Sequence, residues 1–146
     1  MPKLIIIIGL PGSGKSHYIK NLVAYGEIEK EHVYDDFHAN AHNNSSEVTA
    51  SQHFIPLIES LKNDKNCLVS DIVFCKNERM EALKNTIVEL CEIELHCFEN
   101  NPMQCKKNIA IRARESANKE MSLVDSLTCE YQIPKRAKLI TVYQGK

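Results

Sequence analysis

The sequence predicts an α/β fold with a mainly parallel sheet of about five strands, and two patterns carry this prediction. Residues Lys3–Ile8 form a short β-branched run without polar alternation, which is typical of a strand covered on both faces. Further apolar runs follow, and stretches of helical character separate them. This order predicts right-handed crossovers that place helices on both sides of the sheet.

The remaining strands are predicted from short apolar runs later in the chain. Their expected ranges are His32–Tyr34, Cys67–Ser70, Glu92–Phe98 and Lys138–Tyr143. The range Glu92–Phe98 alternates polar and apolar residues, so we expect this strand to be less covered than the first. It is therefore expected to lie towards an edge of the sheet.

Two helices in the second half of the chain are predicted from their start signals. Residues 101–104 read NPMQ, which matches the N-cap, first position and capping-box partner of a helix over 102–116. Ser122 can cap a second helix, and Pro134 disfavours helix at the residue before it. The second helix is expected over Leu123–Tyr131.

Length, charge and cysteine usage limit the classes of function. The 146 residues suit one domain over 1–146, and 18 Lys and Arg against 19 Asp and Glu give no overall field towards nucleic acid or anionic membranes. The six cysteines form no CxxC pair and favour a reducing, cytoplasmic setting. The apolar run Leu4–Leu10 is too short to span a bilayer and lacks a signal-peptide cleavage site, so no membrane partner is expected.

The segment Gly9–Ser16 reads GLPGSGKS and directly follows the first predicted strand. It matches GxxxxGK[ST], in which glycines let backbone N–H groups converge on phosphate oxygens. Lys15 supplies a positive charge for the β and γ phosphates, and the hydroxyl of Ser16 can ligate Mg²⁺. A nucleoside triphosphate, ATP or GTP, is thus expected with Mg²⁺, although a purely structural turn remains an alternative. The residues expected to bind it are Gly9, Pro11, Gly12, Ser13, Gly14, Lys15 and Ser16.

Three aspartates follow predicted strands at the carboxyl edge of the sheet, where ligands of open α/β folds bind. Asp35 is the candidate to orient an accepting hydroxyl, and Asp71 the candidate to hold Mg²⁺ or its water shell. The alternatives are structural, since Asp35 and Asp36 could begin a turn or cap a helix, and Asp71 could be a strand-end turn residue.

A basic stretch begins with the helix predicted from Pro102 and gives a candidate lid over about residues 102–120. Lys107 and Arg114 are seven residues apart, so a continuous helix would place them on one face. Arg112 is the candidate catalytic arginine, which would stabilise charge in the transition state, and Arg114 is a candidate nucleotide contact. A solvated helix with Glu115 and Glu120 as ionic partners is the alternative.

Residues 39–49 are polar and rich in Asn and Ser, which favours a surface loop or an insertion on the substrate side. His38, His42 and His53 lie in or beside this stretch. No carboxylate or cysteine spacing supports zinc there, so a metal role for these histidines is not expected.

Together, GLPGSGKS, then YDDF, then VSD followed by NER, and a basic helix before a final strand resemble the kinase domain of 5'-hydroxyl polynucleotide kinases. The resemblance covers nearly the whole chain and implies a three-layer P-loop NTPase fold with a helical lid. It implies that Lys15 and Ser16 serve the phosphates and Mg²⁺ and that Asp35 activates the acceptor hydroxyl. Arg112 matches the lid arginine only if one residue is inserted.

The sequence departs from that family on the acceptor side. His38 stands where those kinases place an arginine, and Ile72 and Val73 replace small polar residues. We therefore expect a kinase whose acceptor is a nucleic-acid end, a nucleoside or a small metabolite. One alternative is a nucleotide-binding module that acts through a partner. The other is a switch that hydrolyses ATP or GTP, but the sequence has no switch signature to support it.

Overall fold

The first strand, β1 (Lys3–Ile8), is the central strand of a five-stranded sheet in a computed structural model that describes residues 1–37 and 48–144. The other strands are β2 (Val33–Tyr34), β3 (Cys67–Ser70), β4 (Glu92–Phe98) and β5 (Lys138–Ile140). Their order across the sheet is β2-β3-β1-β4-β5, and every neighbouring pair is parallel. The predicted parallel α/β fold is confirmed.

The side chains of β1 alternate between two separate parts of the core. Leu4, Ile6 and Ile8 belong to one cluster of buried residues, whereas Ile5 and Ile7 belong to another. Both faces of the strand are therefore covered, which is why its sequence is uniformly apolar.

The helices divide unequally between the two faces. They are α1 (Lys15–Ala24), α2 (Phe54–Lys62), α3 (Asn77–Ile87), α4 (Pro102–Arg112) and α5 (Ala117–Thr128). Helix α1 packs on the Ile5 face through Ile19, while the buried side chains of α2 to α5 join the other cluster. The result is a three-layer arrangement with the sheet in the middle.

Two predicted helices have different limits from those expected. The helix expected over 102–116 ends at Arg112, because Ala113 adopts a left-handed conformation with φ 51° and its N–H bonds Ile109 O at 3.2 Å. The second helix begins at Ala117, so Ser122 lies inside it and the predicted cap there is wrong. The proposed lid region is thus two helices joined by a short turn.

The strand limits agree better. β1, β3 and β4 have the predicted ranges, but His32 belongs to a 3₁₀ turn before β2, and β5 ends at Ile140. β4 lies between β1 and the edge strand β5, and its first half is more exposed than β1, as expected.

The polar side chains of β4 form a network on the α1 side of the sheet. The Tyr18 hydroxyl and His96 Nδ1 are 2.6 Å apart, and His96 Nε2 and Glu94 Oε1 are also 2.6 Å apart. The bond to His96 is the main reason that the pKa of Glu94 is lowered. Polar residues on this strand therefore mark a paired network.

The six cysteines are free thiols; Cys129 is exposed and the others are buried. Burial raises the pKa of Cys75 to about 12, so it behaves as a small apolar side chain. None of the helices in the described part of the chain is long and apolar enough to cross a membrane. The predicted loop over 39–49 lies outside the described residues except at its end, where Val48 begins a 3₁₀ turn and is buried.

Candidate active site

The phosphate loop connects β1 to α1 and needs glycine at two positions. Gly12 and Gly14 have φ values of 83° and 102°, a region that side chains disfavour. A Cβ at Gly12 would lie 2.5 Å from Cys105 O of α4, and one at Gly14 would lie 2.5 Å from the Cβ of Tyr143. The loop backbone therefore lies close to both neighbouring segments.

The amino end of α1 has the properties of an anion site. Its N-cap residue, Gly14, has no side chain, and no side-chain cap serves the first turn. The first N–H groups of a helix have no intrahelical partner, and the helix dipole is positive at this end. These N–H groups can donate hydrogen bonds to phosphate oxygens, which is the fit that a nucleotide requires.

Lys15, the first residue of α1, turns back over the loop. Its Nζ donates hydrogen bonds to Gly9 O at 2.9 Å and to Leu10 O at 3.0 Å. Desolvation lowers the pKa of Lys15, whereas the nearby Asp35 and Asp71 oppose that shift. A bound triphosphate would favour the charged ammonium in the same way.

A cavity of about 410 Å³ brings most of the predicted site residues together. The predicted residues that line it are Pro11, Gly12, Gly14, Lys15, Ser16, Asp35, Arg112 and Arg114. Gly9, Ser13 and Asp71 do not line it. Ser13 and Asp71 are buried, and a Cβ at Gly9 would lie 2.5 Å from Ser13 Oγ. These three predicted residues are therefore outside the cavity wall.

Asp35 and Asp36 form the turn after β2, as the structural alternative proposed. The N–H of Asp36 donates to Asp35 Oδ1 at 2.9 Å, and the N–H of the buried Phe37 donates to Ser70 O at 3.0 Å. This second bond fixes the turn to the end of β3. Both aspartates line the cavity, so a structural role in the turn and a catalytic role are compatible.

The carboxylates influence one another. Burial raises the pKa of Asp36, and the negative charges of Asp35 and Asp71 raise it further. Perturbed pKa values of this kind are common at functional sites.

Asp71 caps the 3₁₀ turn Ile72–Cys75 at the end of β3. Its Oδ1 accepts a hydrogen bond from the N–H of Val73 at 3.0 Å. The structural alternative therefore describes its observed contact. A Mg²⁺ role for Asp71, through a water, stays a prediction; Ser16 lies at the cavity wall with its hydroxyl at the start of α1.

Arg112 is held at the cavity by an ion pair. Its Nη2 lies 2.7 Å from Glu120 Oε2, and Ser116 Oγ donates to Glu120 Oε1 at 2.7 Å. The observed contact thus matches the alternative in which Glu120 is an ionic partner of the basic stretch. Lys107 and Arg114 do not share a helix face, because α4 ends at Arg112.

Four residues that contribute to the site were not identified from the sequence. His17, Leu123 and Tyr143 line the cavity, and the rings of His17 and Tyr143 are 4.8 Å apart. Asn108 contacts the loop from α4. Only His17 had a signal, since it directly follows Ser16; the other three are brought in by tertiary packing.

Of the three histidines considered for a metal site, only His53 lies among the described residues. His38 and His42 lie outside the described residues, and the ring of His53 packs near the rings of Tyr34 and Phe37. Within the described residues, the only group with metal-ligand spacing is Glu29, Glu31 and His32, near the start of β2. It does not line the cavity.

Comparisons with known proteins agree with this geometry. An uncharacterized protein of Acanthamoeba polyphaga mimivirus is 28% identical over 146 residues, which cover 93% of this chain and 91% of the relative. A gluconokinase from Sinorhizobium meliloti superposes with a TM-score of 0.64 at 14% identity, covering 98% of this chain and 84% of that one. The protein APE1195 superposes with a TM-score of 0.59 at 14% identity, covering 97% and 85%.

The match to a family model extends along most of the sheet. The model described as an AAA domain (AAA_33) matches residues 4–134, which begin within β1 and include β2 to β4, the phosphate loop and the helices α1 to α5. The superposition on the gluconokinase shows that this chain has the fold of a P-loop kinase. The chain therefore belongs to the AAA domain family and has a P-loop kinase-like fold.

Proposed function

We propose that the chain is a kinase that transfers the γ-phosphoryl group of ATP or GTP, with Mg²⁺, to a hydroxyl group. The observation that carries this proposal is the single cavity that joins the phosphate loop to a pair of carboxylates and an arginine. A site for binding alone needs the loop, whereas transfer also needs a group that orients the acceptor and a cation for the transition state.

Each side chain has a defined part in the proposed reaction. Lys15 and the N–H groups of α1 would hold the β and γ phosphates, and Ser16 would hold Mg²⁺, which when bound would supply charge that neutralises the phosphates. Asp35 accepts the proton of the acceptor hydroxyl while the hydroxyl oxygen bonds to the γ phosphorus. The bond between the γ phosphorus and the oxygen that bridges to the β phosphate breaks at the same time. Arg112 stabilises the charge on the equatorial oxygens.

Arg112 must exchange partners in this scheme. It now contacts Glu120, and because the Arg112 side chain is 36% exposed, solvent screens part of this attraction. A triphosphate carries more negative charge than one carboxylate, so it can compete for the guanidinium. Movement of the turn between α4 and α5 towards the nucleotide would be the lid function predicted for residues 102–120.

The charge on the acceptor side favours a small uncharged acceptor over a nucleic-acid end. No Lys or Arg occurs in the sequence between Lys30 and Lys62, the segment that contains Asp35. In the described part of the site, Asp36 and the apolar Ile72 and Leu123 complete that side. A polynucleotide end needs basic contacts to its phosphates.

The deciding experiment incubates the protein with γ-labelled ATP, Mg²⁺ and acceptors in matched pairs, such as a nucleoside and its 3'-phosphate. Label on an acceptor supports the kinase, and preference for the uncharged member supports the acceptor class. Preference for a 5'-hydroxyl oligonucleotide would instead support the polynucleotide kinase resemblance.

The second candidate is a nucleotide-binding module that acts through a protein partner. The pairing of Arg112 with Glu120 and the apolar Ile72 beside the carboxylates favour it. ATP binding without label on any acceptor would select this alternative. A single domain over 1–146 and a cytoplasmic location remain predictions.

A further inference from the structure

Asn108 is a buried polar residue of α4 whose hydrogen bonds link three segments of the chain. Its Nδ2 donates to Gly12 O at 2.8 Å and to Tyr143 O at 2.5 Å, while its Oδ1 accepts from Gln104 Nε2 at 3.0 Å. The residue is 7% exposed. Both N–H bonds of the amide are used, and each ends on a backbone carbonyl near the phosphate loop.

A second contact holds the next carbonyl of the loop. The N–H of Tyr143 donates to Ser13 O at 3.0 Å, so two consecutive loop carbonyls are bound from α4 and from the segment after β5. The N–H of Ser13 donates to Leu10 O at 3.1 Å. The peptide group between Gly12 and Ser13 is therefore fixed at both of its polar atoms.

Peptide geometry gives these contacts a consequence for ligand binding. The C=O and the following N–H of a trans peptide point in opposite directions. With Ser13 O held by the backbone of Tyr143, the N–H of Gly14 points away from that backbone. If the loop carbonyls were released, they could rotate towards the phosphates, where an oxygen would repel an oxygen.

We propose that Asn108 is a positioning residue for the triphosphate: it holds Gly12 O directly and Ser13 O through Tyr143, in the orientation that presents the N–H of Gly14 to the phosphates. The proposal rests on the proposed function. Asn108 also joins the loop to α4, whose last residue, Arg112, lies one turn later and lines the cavity.

The amide orientation is itself determined by a neighbour. Because Gln104 Nε2 donates to Asn108 Oδ1, the Nδ2 group must face Gly12 and Tyr143. A flipped amide would place oxygen against two carbonyl oxygens and nitrogen against nitrogen. Gln104 thus supports Asn108 without contacting the loop itself.

The test compares Asn108→Asp with Asn108→Leu and with the control Asn100→Asp. The first change keeps the shape but directs an oxygen at two carbonyl oxygens. Asn100 also donates its amide to a backbone carbonyl, Thr128 O at 3.0 Å, but it is exposed and does not line the cavity. Calorimetric titration measures the Kd of MgATP and of inorganic tripolyphosphate at a temperature where circular dichroism shows each variant folded.

We expect both Asn108 variants to weaken ATP and tripolyphosphate by about tenfold or more and by similar factors, because the lost contact acts on the phosphates. Asn100→Asp should change neither. Gln104→Met, which only releases the amide, should give a smaller loss of about threefold and serves if the Asn108 variants do not fold.

Unchanged Kd values in folded Asn108 and Gln104 variants would overturn the positioning role and leave Asn108 as a packing residue. A lower thermal stability with unchanged Kd values would overturn the positioning role in the same way. Absence of ATP binding by the wild-type protein would instead reject the proposed function, and the positioning role with it.

Discussion

The donor and acceptor sides of the cavity are built differently. On the donor side, backbone groups of the phosphate loop are fixed by Asn108, by Tyr143 N–H and by the close approach of Cys105 O to Gly12. On the acceptor side, Asp35, Asp36 and the pair formed by Arg112 and Glu120 are side chains at the ends of elements. Backbone constraints preserve one ligand geometry, while side chains at termini can change with the acceptor.

This difference predicts that changes on the two sides affect different measurements. Donor-side substitutions should lower nucleotide affinity and often stability. Acceptor-side substitutions should alter transfer while ATP still binds.

Asp35→Asn should give the largest effect, a loss of about a thousandfold in kcat for transfer with ATP affinity nearly unchanged, because the amide cannot accept the acceptor proton. Rates of label transfer and calorimetric titration of ATP measure the two quantities. Asp64→Asn, at an exposed residue outside the cavity, is the matched control and should leave both unchanged. Transfer at the wild-type rate in Asp35→Asn would remove Asp35 from catalysis.

Lys15→Ala should weaken ATP binding by about a hundredfold, since it removes the charge at the loop. Lys20→Ala, also on α1 but exposed, should bind ATP like the wild type. Titration with ATP and Mg²⁺ measures both. Equal affinity of Lys15→Ala and wild type would contradict the whole interpretation of the loop.

Gly12→Ala and Gly26→Ala separate close packing from backbone conformation. Both glycines have similar positive φ values, 83° and 77°, but a Cβ at Gly26 would meet no atom within 4 Å. Gly26→Ala should lower the free energy of unfolding by about 1 kcal/mol, and Gly12→Ala by about 2 kcal/mol more because of the clash with Cys105 O. Denaturant unfolding measures the difference; equal losses would mean that the loop can move away from α4.

Asp36→Asn should give the smallest effect, a gain in stability below about 1 kcal/mol at pH 7, since solvent screens this partly exposed group. Burial raises the pKa of Asp36 in the folded state, so its charged form opposes folding above that pKa. The gain should vanish as the pH falls through the raised pKa towards about pH 3, where the carboxyl is protonated in both states.

Unfolding at both pH values, with Asp64→Asn as the control for asparagine at positive φ, measures this effect. A gain of the same size at pH 3 would attribute it to backbone preference and not to charge.

Local signals determined much of the donor side. β1, β3 and β4 have the ranges that their apolar runs predict, and the phosphate loop follows β1 at once. The start of α4 is also local: Asn101 Oδ1 accepts from the N–H of Gln104 at 3.2 Å, as its cap position predicts. The side chain of Gln104 does not complete the capping box, however, because the N–H of Asn101 donates to Glu99 O at 3.0 Å, and Gln104 Nε2 donates to Asn108.

The end of α4 could not be predicted in the same way. Ala113 adopts the left-handed conformation, although alanine favours helix, and the chain then turns into α5. Glu120 of α5 lies beside Arg112 in the folded chain, and Ser122 lies inside a helix that starts earlier than expected. Tertiary packing here outweighs local preference.

By itself, the sequence determined the parallel α/β fold, the phosphate loop and the carboxylates at the strand ends, because these depend on residue type and on spacing along a few residues. Only the tertiary structure decided the contacts of Asn108 and Tyr143 with the loop and the pairing of Arg112 with Glu120. These contacts join residues from distant parts of the chain, and their geometry depends on how α4, α5 and the segment after β5 pack together.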